Sequence, residues 1–156
     1  MAESPGDLRL TGRLLGEFIL RWAEIAGPHF GGDLTMAIIY TAVVQANVRD
    51  VLNDPELNKQ YAGSPPPDSI RRPATMSSIA ASLNLPRETV RRHIGRMIEN
   101  GTVIKKDGGV VVTQGAIDSP EGLAAARQHY AAVRRFVLSL RRAGVSFAEA
   151  EDDPPS

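Results

Sequence analysis

The chain has 156 residues, 42% of them hydrophobic, and its 18 basic and 18 acidic residues cancel to zero net charge, so it can bury one sizeable core but carries no global attraction for polyanions. It contains no cysteine, which excludes disulfides, thiolate metal sites and thiol catalysis. No basic-then-apolar leader opens it, and its most apolar run, Leu34 to Val48, is short for a bilayer and includes Gln45 and Asn47; the expectation is a cytoplasmic protein with no membrane partner.

The first predicted element is a helix from Leu8 to about Ala26, capped by Asp7 and stopped at Gly27-Pro28, with Leu15, Phe18, Ile19, Trp22 and Ile25 along one stripe. Asp33 caps a second, Leu34 to Leu52, closed by Asn53-Asp54-Pro55. Its Met36, Ile38, Ile39, Val43, Val44, Val48 and Val51 are not confined to one face, so it is expected to be buried on several sides. Residues 54–73, with Pro65-Pro66-Pro67 at the centre, have neither helical nor strand periodicity and read as a loop.

Ala74 to Met76 reads as a short strand. Ser77 is the expected N-cap of a helix to Leu83, with Ile79, Ala80 and Leu83 inward; Asn84 tolerates the left-handed stop and Leu85 plugs the corner. Pro86 starts a second helix in which Val90, Ile94, Met97 and Ile98 share one face, while Glu88, Arg91, Arg92, Gly95, Arg96 and Glu99 share the other. Gly101 stops it. Thr102 to Lys105 and Val110 to Thr113 then form two strands around Asp107-Gly108-Gly109, a turn that accepts positive φ. Ser119-Pro120 opens a last helix, to about Ala143, in which Leu123, Ala126, Tyr130, Val133, Val137 and Leu140 recur at threes and fours; Gly144 follows it.

Helix, turn, arginine-rich helix and hairpin together read as a winged helix-turn-helix. From Arg71 to Lys106 eight basic residues (Arg71, Arg72, Arg87, Arg91, Arg92, Arg96, Lys105, Lys106) face two acids, Glu88 and Glu99, a local charge of +6. Arginine's planar fork matches guanine O6 and N7, and glutamate accepts from cytosine N4, so Arg and Glu at the start of such a helix suit a G·C step. Spacing also permits a surface ion pair between Glu88 and Arg92, four residues apart.

The run Pro86-Arg87-Glu88-Thr89-Val90-Arg91-Arg92-His93-Ile94 resembles the recognition helix of the catabolite activator (cyclic-AMP receptor) family, whose pattern is Ser-Arg-Glu-Thr-Val-x-Arg. Arg91 to Val103 is similar to the winged helices of many small bacterial repressors. The resemblance implies Arg87, Glu88 and Arg92 as base readers. Ser77, Thr89, Arg91, Arg96, Lys105 and Lys106 then serve phosphate or the wing. Nothing upstream resembles a cyclic-nucleotide-binding β-roll, so that family's cofactor is not carried over; no cofactor is predicted and any small-molecule effector is unidentified.

His29, His93 and His129 stand in no metal-ligand pattern, and neither a phosphate-binding glycine loop nor a nucleophile elbow occurs, so no enzyme is expected. The expected organisation is N-terminal helices for core and dimerisation (1–53), a proline-rich loop (54–73), the winged helix-turn-helix (74–115), a C-terminal helix (119–144) and a disordered acidic tail (145–156). The expected fold is thus mainly α with a small β-hairpin wing. The expected function is a sequence-specific, homodimeric regulator of transcription binding double-stranded DNA through the major groove, with a protein-interaction module or an RNA binder as the alternatives.

Overall fold

The computed structural model describes residues 5–145. The order is α1 (Pro5–Ala26), a 3-10 turn (Gly27–Phe30), α2 (Leu34–Asn53), α3 (Pro55–Gln60), α4 (Met76–Leu83), α5 (Arg87–Glu99), β1 (Val103–Lys106), β2 (Gly109–Val112), α6 (Gln114–Ile117) and α7 (Pro120–Arg142). The chain is therefore mainly helical, with one small antiparallel sheet, as expected. The acidic residues Glu149 to Asp153 lie outside the described residues. Two compact units divide it: one takes the chain up to Gly32 and from Ala124 onward, the other is Asp33–Leu123.

The second unit holds α2 to β2 around a core of Ile39, Val43, Val90, Ile94, Met97, Val103, Val110, Val111 and Val112, all essentially shielded from solvent. Burying a side chain of this size contributes about 1.5–3 kcal/mol. α2 is buried along Met36, Ala37, Ile39, Val43, Asn47 and Val51, but Leu34, Ile38 and Leu52 are exposed, so its apolar girth is not covered all round. Asp33 caps it as predicted, accepting the Met36 N–H at 2.9 Å.

The N-cap of α4 lies two residues earlier than its sequence suggests. Thr75, extended at φ −83° and ψ 148°, is the cap and accepts the Ser78 N–H at 3.1 Å, so Ser77 is displaced from that role into the exposed first turn. The reason is a long-range contact: Ala74 is held in a bridge to Val110, and Thr75 is the first residue free to leave it with a cap-competent hydroxyl. Asn84 takes the left-handed conformation, φ 51°, and the Leu85 N–H closes onto the Ala80 carbonyl at 3.0 Å. Pro86 is the cap of α5 and not its first helical residue, because its ψ of 136° is still extended.

β1 and β2 pair with Val103 opposite Val112 and Lys106 opposite Gly109; Asp107 (φ 46°) and Gly108 (φ 77°) make the turn. Residues 54–73 are not a free loop. Asp54 caps the short helix α3, Pro66 is buried, and the Arg72 N–H reaches the Asn47 carbonyl at 3.0 Å.

In the other unit α1 begins at Pro5, which places Asp7 in the first turn and not at the cap. Phe18 and Phe136 stack with ring centroids 5.3 Å apart, and Glu17 pairs with Arg135 at 3.0 Å. The stripes expected to be inward are only half covered: Leu15 and Ile19 on α1, and Tyr130, Val133 and Val137 on α7, are exposed. Of the expected α7 stripe Leu140 is buried, together with Ala132, which lies outside that stripe on the face toward α1.

Candidate nucleic-acid interface

Three of the cations in the Arg71–Lys106 run, Arg87, Arg92 and Lys105, are exposed and have no ion-pair partner among the described residues. The other five are engaged. Arg71 is 4% exposed and donates to the Val112 carbonyl at 2.6 Å while pairing with Asp68. Arg72 meets Asp50 at 3.3 Å, Arg91 meets Glu88, Arg96 meets Asp33 at 3.0 Å, and Lys106 Nζ donates to the Asp68 carbonyl at 2.8 Å. Three of the partnering acids, Asp33, Asp50 and Asp68, lie outside the stretch and escape a local count of it, and with them the expected +6 falls to +3.

Glu88 is held by Arg91 and not by Arg92. Arg91 Nε donates to one carboxylate oxygen at 2.8 Å and Nη2 to the other at 2.5 Å, a bidentate i,i+3 pair that leaves Arg92 free. The hydrogen bonds from Arg91 lower the Glu88 pKa, and the same pair raises that of Arg91. Both side chains are fully in water, so the pair orients them more than it stabilises the fold.

The N-terminus of α5 has no side-chain cap, so its first-turn amides stay open to an outside acceptor. Beside it lies a groove of about 490 Å³ lined by the cap Thr75 and Ser77 of α4, Arg87 of α5, and Lys105, Lys106, the acidic Asp107 and Gly108 of the hairpin. Four of the expected phosphate or base contacts, Ser77, Arg87, Lys105 and Lys106, therefore converge on one concavity with hydroxyl, guanidinium and ammonium donors. Along the outward face of α5, Gly95 has open space where a side chain would stand, which clears the middle of that face for close approach. Thr89 is half-buried, and Arg96 is drawn away to the start of α2.

His93 is buried, 4% exposed. Its Nδ1 stands 3.5 Å from Asp33 Oδ2 and has no hydrogen-bond partner. Asp33 is shared among Met36, His93 and Arg96; the Met36 N–H above all, with the charges of His93 and Arg96, lowers its pKa against a desolvation that raises it. Asp33 thereby ties the last turns of α5 to the start of α2.

Asn47 is the residue that sequence reasoning missed. It is 2% exposed; its Nδ2 donates to the carbonyls of Arg72 at 2.7 Å and Val110 at 3.1 Å, and its Oδ1 accepts the Val112 N–H at 3.0 Å. With Ala74 pairing to Val110 and Arg71 donating to Val112, these groups occupy the outer edge of β2 where a third strand would lie. The sequence signal was a polar residue at four-residue spacing from Val43 and Val51 on the apolar face of the helix. No described group of three or more His, Asp or Glu is placed to hold a metal ion. No helix among the described residues is long and apolar enough to cross a membrane. No family model, curated protein or solved structure matches the chain.

Proposed function

We propose that the chain is a sequence-specific regulator of transcription that binds double-stranded DNA as a homodimer, and that the second unit is a winged helix-turn-helix. In this reading α5 enters the major groove, with Arg87 and Arg92 on guanine edges and Glu88 on cytosine, and the β1–β2 hairpin is the wing. Ser77, Lys105 and the open first turn of α5 grip a phosphate in the groove between them. Arg91 positions Glu88, and Arg96 and Lys106 add only what their protein partners release.

The observation that carries the reading is the convergence of unpaired Arg87 and Lys105 with Ser77 on one groove, while unpaired Arg92 projects from the outer face of the same helix. Cations left without partners in a unit that neutralises most of its arginines are suited to an external anion. The unit's ten basic and ten acidic residues balance, so attraction is local and not long-range.

A selection of bound sequences from random duplexes with the purified protein tests this. Enrichment of one inverted-repeat motif supports it; uniform recovery, or tighter capture of RNA of the same sequence, rejects it. With Arg87 and Arg92 on base edges, Lys105 is the one unpaired cation per protomer left for phosphate, which predicts a log–log salt slope of about −0.9 per half-site.

A further inference from the structure

The two helices of the first unit form an amphipathic pair with one open side. Phe18 sits beside Phe136, Glu17 beside Arg135, and His29 near His129, so α1 and α7 run antiparallel. Leu14, Phe18 and Arg21 face Ala132, Phe136 and Ser139 across the seam. Leu8 (57% exposed), Leu15 and Ile19 (52%) lie a little over a third of a turn around α1 from that seam, and Ala126, Tyr130 (73%), Val133 and Val137 lie as far around α7. Each stripe is rotated in the same sense, seen along its own chain direction. For antiparallel helices that brings both stripes to the same side of the pair. The opposite side carries Arg13, Glu17 and Glu24 on α1 and Gln128, Arg135 and Arg142 on α7, all exposed, with Leu20 (68% exposed) beside them on α1.

We infer that this apolar side is covered by the same side of a second copy, closing a four-helix bundle about a twofold axis with α7 of each chain lying against α1 of the other. The inference deepens the dimeric part of the proposed function and does not depend on the DNA-reading part. Three observations choose a second copy as the occupant. On the open side Leu8, Leu15, Ile19, Tyr130, Val133 and Val137 are between 39% and 73% exposed, an apolar face that spans both helices. The recurrence of Ala126, Tyr130, Val133 and Val137 at fours and threes is the seam spacing of helices that pack on helices of the same kind.

The third observation is at the edges. The outer edge of α7 is a row of long cations, Arg127, Arg134 and Arg141, exposed and without ion-pair partners among the described residues, which sets α7 against α7 at a disadvantage through like-charge repulsion. On the outer edge of α1, between Arg9 and Leu20, Gly12 and Gly16 lie four apart, both with open space where a side chain would stand. Glycine weakens a helix interior, and nothing within the chain uses the room these two provide. A helix of another copy bearing long arginines fits that room.

Size-exclusion chromatography with light scattering at 50 µM is expected to give about twice the 16.8 kDa chain mass. The double variant Leu15→Glu, Val133→Glu should elute as a monomer with unchanged helical circular dichroism, because both side chains already face solvent in the single chain; its dimer dissociation constant should rise at least about 100-fold. Gly16→Leu should also weaken the dimer while Gln128→Glu, on the polar side, leaves it intact. A monomeric parent chain at 50 µM overturns the inference, and so does a dimer indifferent to the double charge. The monomeric variant should still bind a single half-site duplex; a parent that is dimeric but binds no duplex would sink the DNA reading and leave the bundle standing.

Discussion

Asn47 Oδ1 accepts the backbone N–H of Val112 at 3.0 Å, so a side chain of α2 takes the hydrogen bond that a neighbouring strand would otherwise supply. The hairpin that carries Lys105 is fixed to the helical core through this amide.

Asn47→Leu keeps the size and removes all three bonds. Two or more buried backbone groups lose a partner, at about 1–3 kcal/mol each, so unfolding in urea should show a loss of about 2–5 kcal/mol. A loss below about 1 kcal/mol would mean that the amide does not hold the sheet edge.

Gly109 lies against the chain that precedes α4: a Cβ there would stand 2.8 Å from the Ala74 carbonyl oxygen and 2.9 Å from Pro73 Cβ. Gly109→Ala must push β2 away from Ala74, at about 1–3 kcal/mol. Gly108→Ala tests the turn separately, since its cost comes from φ 77° and not from crowding. Equal stability of Gly109→Ala and the parent chain would contradict the close approach.

How much of this was legible in the sequence varied with what each feature depends on. The left-handed Asn84, the glycine stop at Gly101 and the Asp107-Gly108 turn follow from local backbone chemistry, and all were readable. Periodicity grouped Leu15 with Ile19 and Val133 with Val137, but a period tells which residues share a face and not which face is covered. The run Thr75-Met76-Ser77-Ser78 offers several capping hydroxyls, and the Ala74 bridge, a long-range contact, selects Thr75. Counting charge along the chain placed Arg71 on a surface; it is inside, because Asp68 and the Val112 carbonyl meet it there. Of the three residues proposed to read bases, Arg87 and Arg92 have no ion-pair partner among the described residues, while Glu88 is held by Arg91, three residues along, and not by Arg92, four along.

Burial lowers the pKa of His129, and the charge of His29 lowers it further. A base whose folded pKa is depressed stabilises the fold in its neutral form. That stability is present above the unfolded value near 6.5 and is lost as pH falls through it toward the folded value. The single tryptophan, Trp22, reports on the same unit. Its unfolding midpoint in urea should drop between pH 7.5 and 5.5 in the parent chain and change less in His129→Gln; identical pH profiles would remove His129 as the cause.

Glu88→Gln breaks the bidentate pair and releases Arg91. Duplex affinity should rise at low salt and the salt slope should steepen by about one, while discrimination at one base pair falls by about 1–3 kcal/mol. An unchanged base preference would show that Glu88 serves only to neutralise Arg91.

The reading of α5 as a major-groove helix is tested most directly by fluorescence anisotropy on the duplex enriched in selection, comparing Arg92→Ala with Lys105→Ala against matched and mismatched sites. Arg92→Ala should erase preference at one position, by about 1–3 kcal/mol, and Lys105→Ala should weaken all duplexes alike with a slope reduced by about one. If Arg87→Ala and Arg92→Ala both leave the preference between matched and mismatched duplexes unchanged, α5 does not read bases.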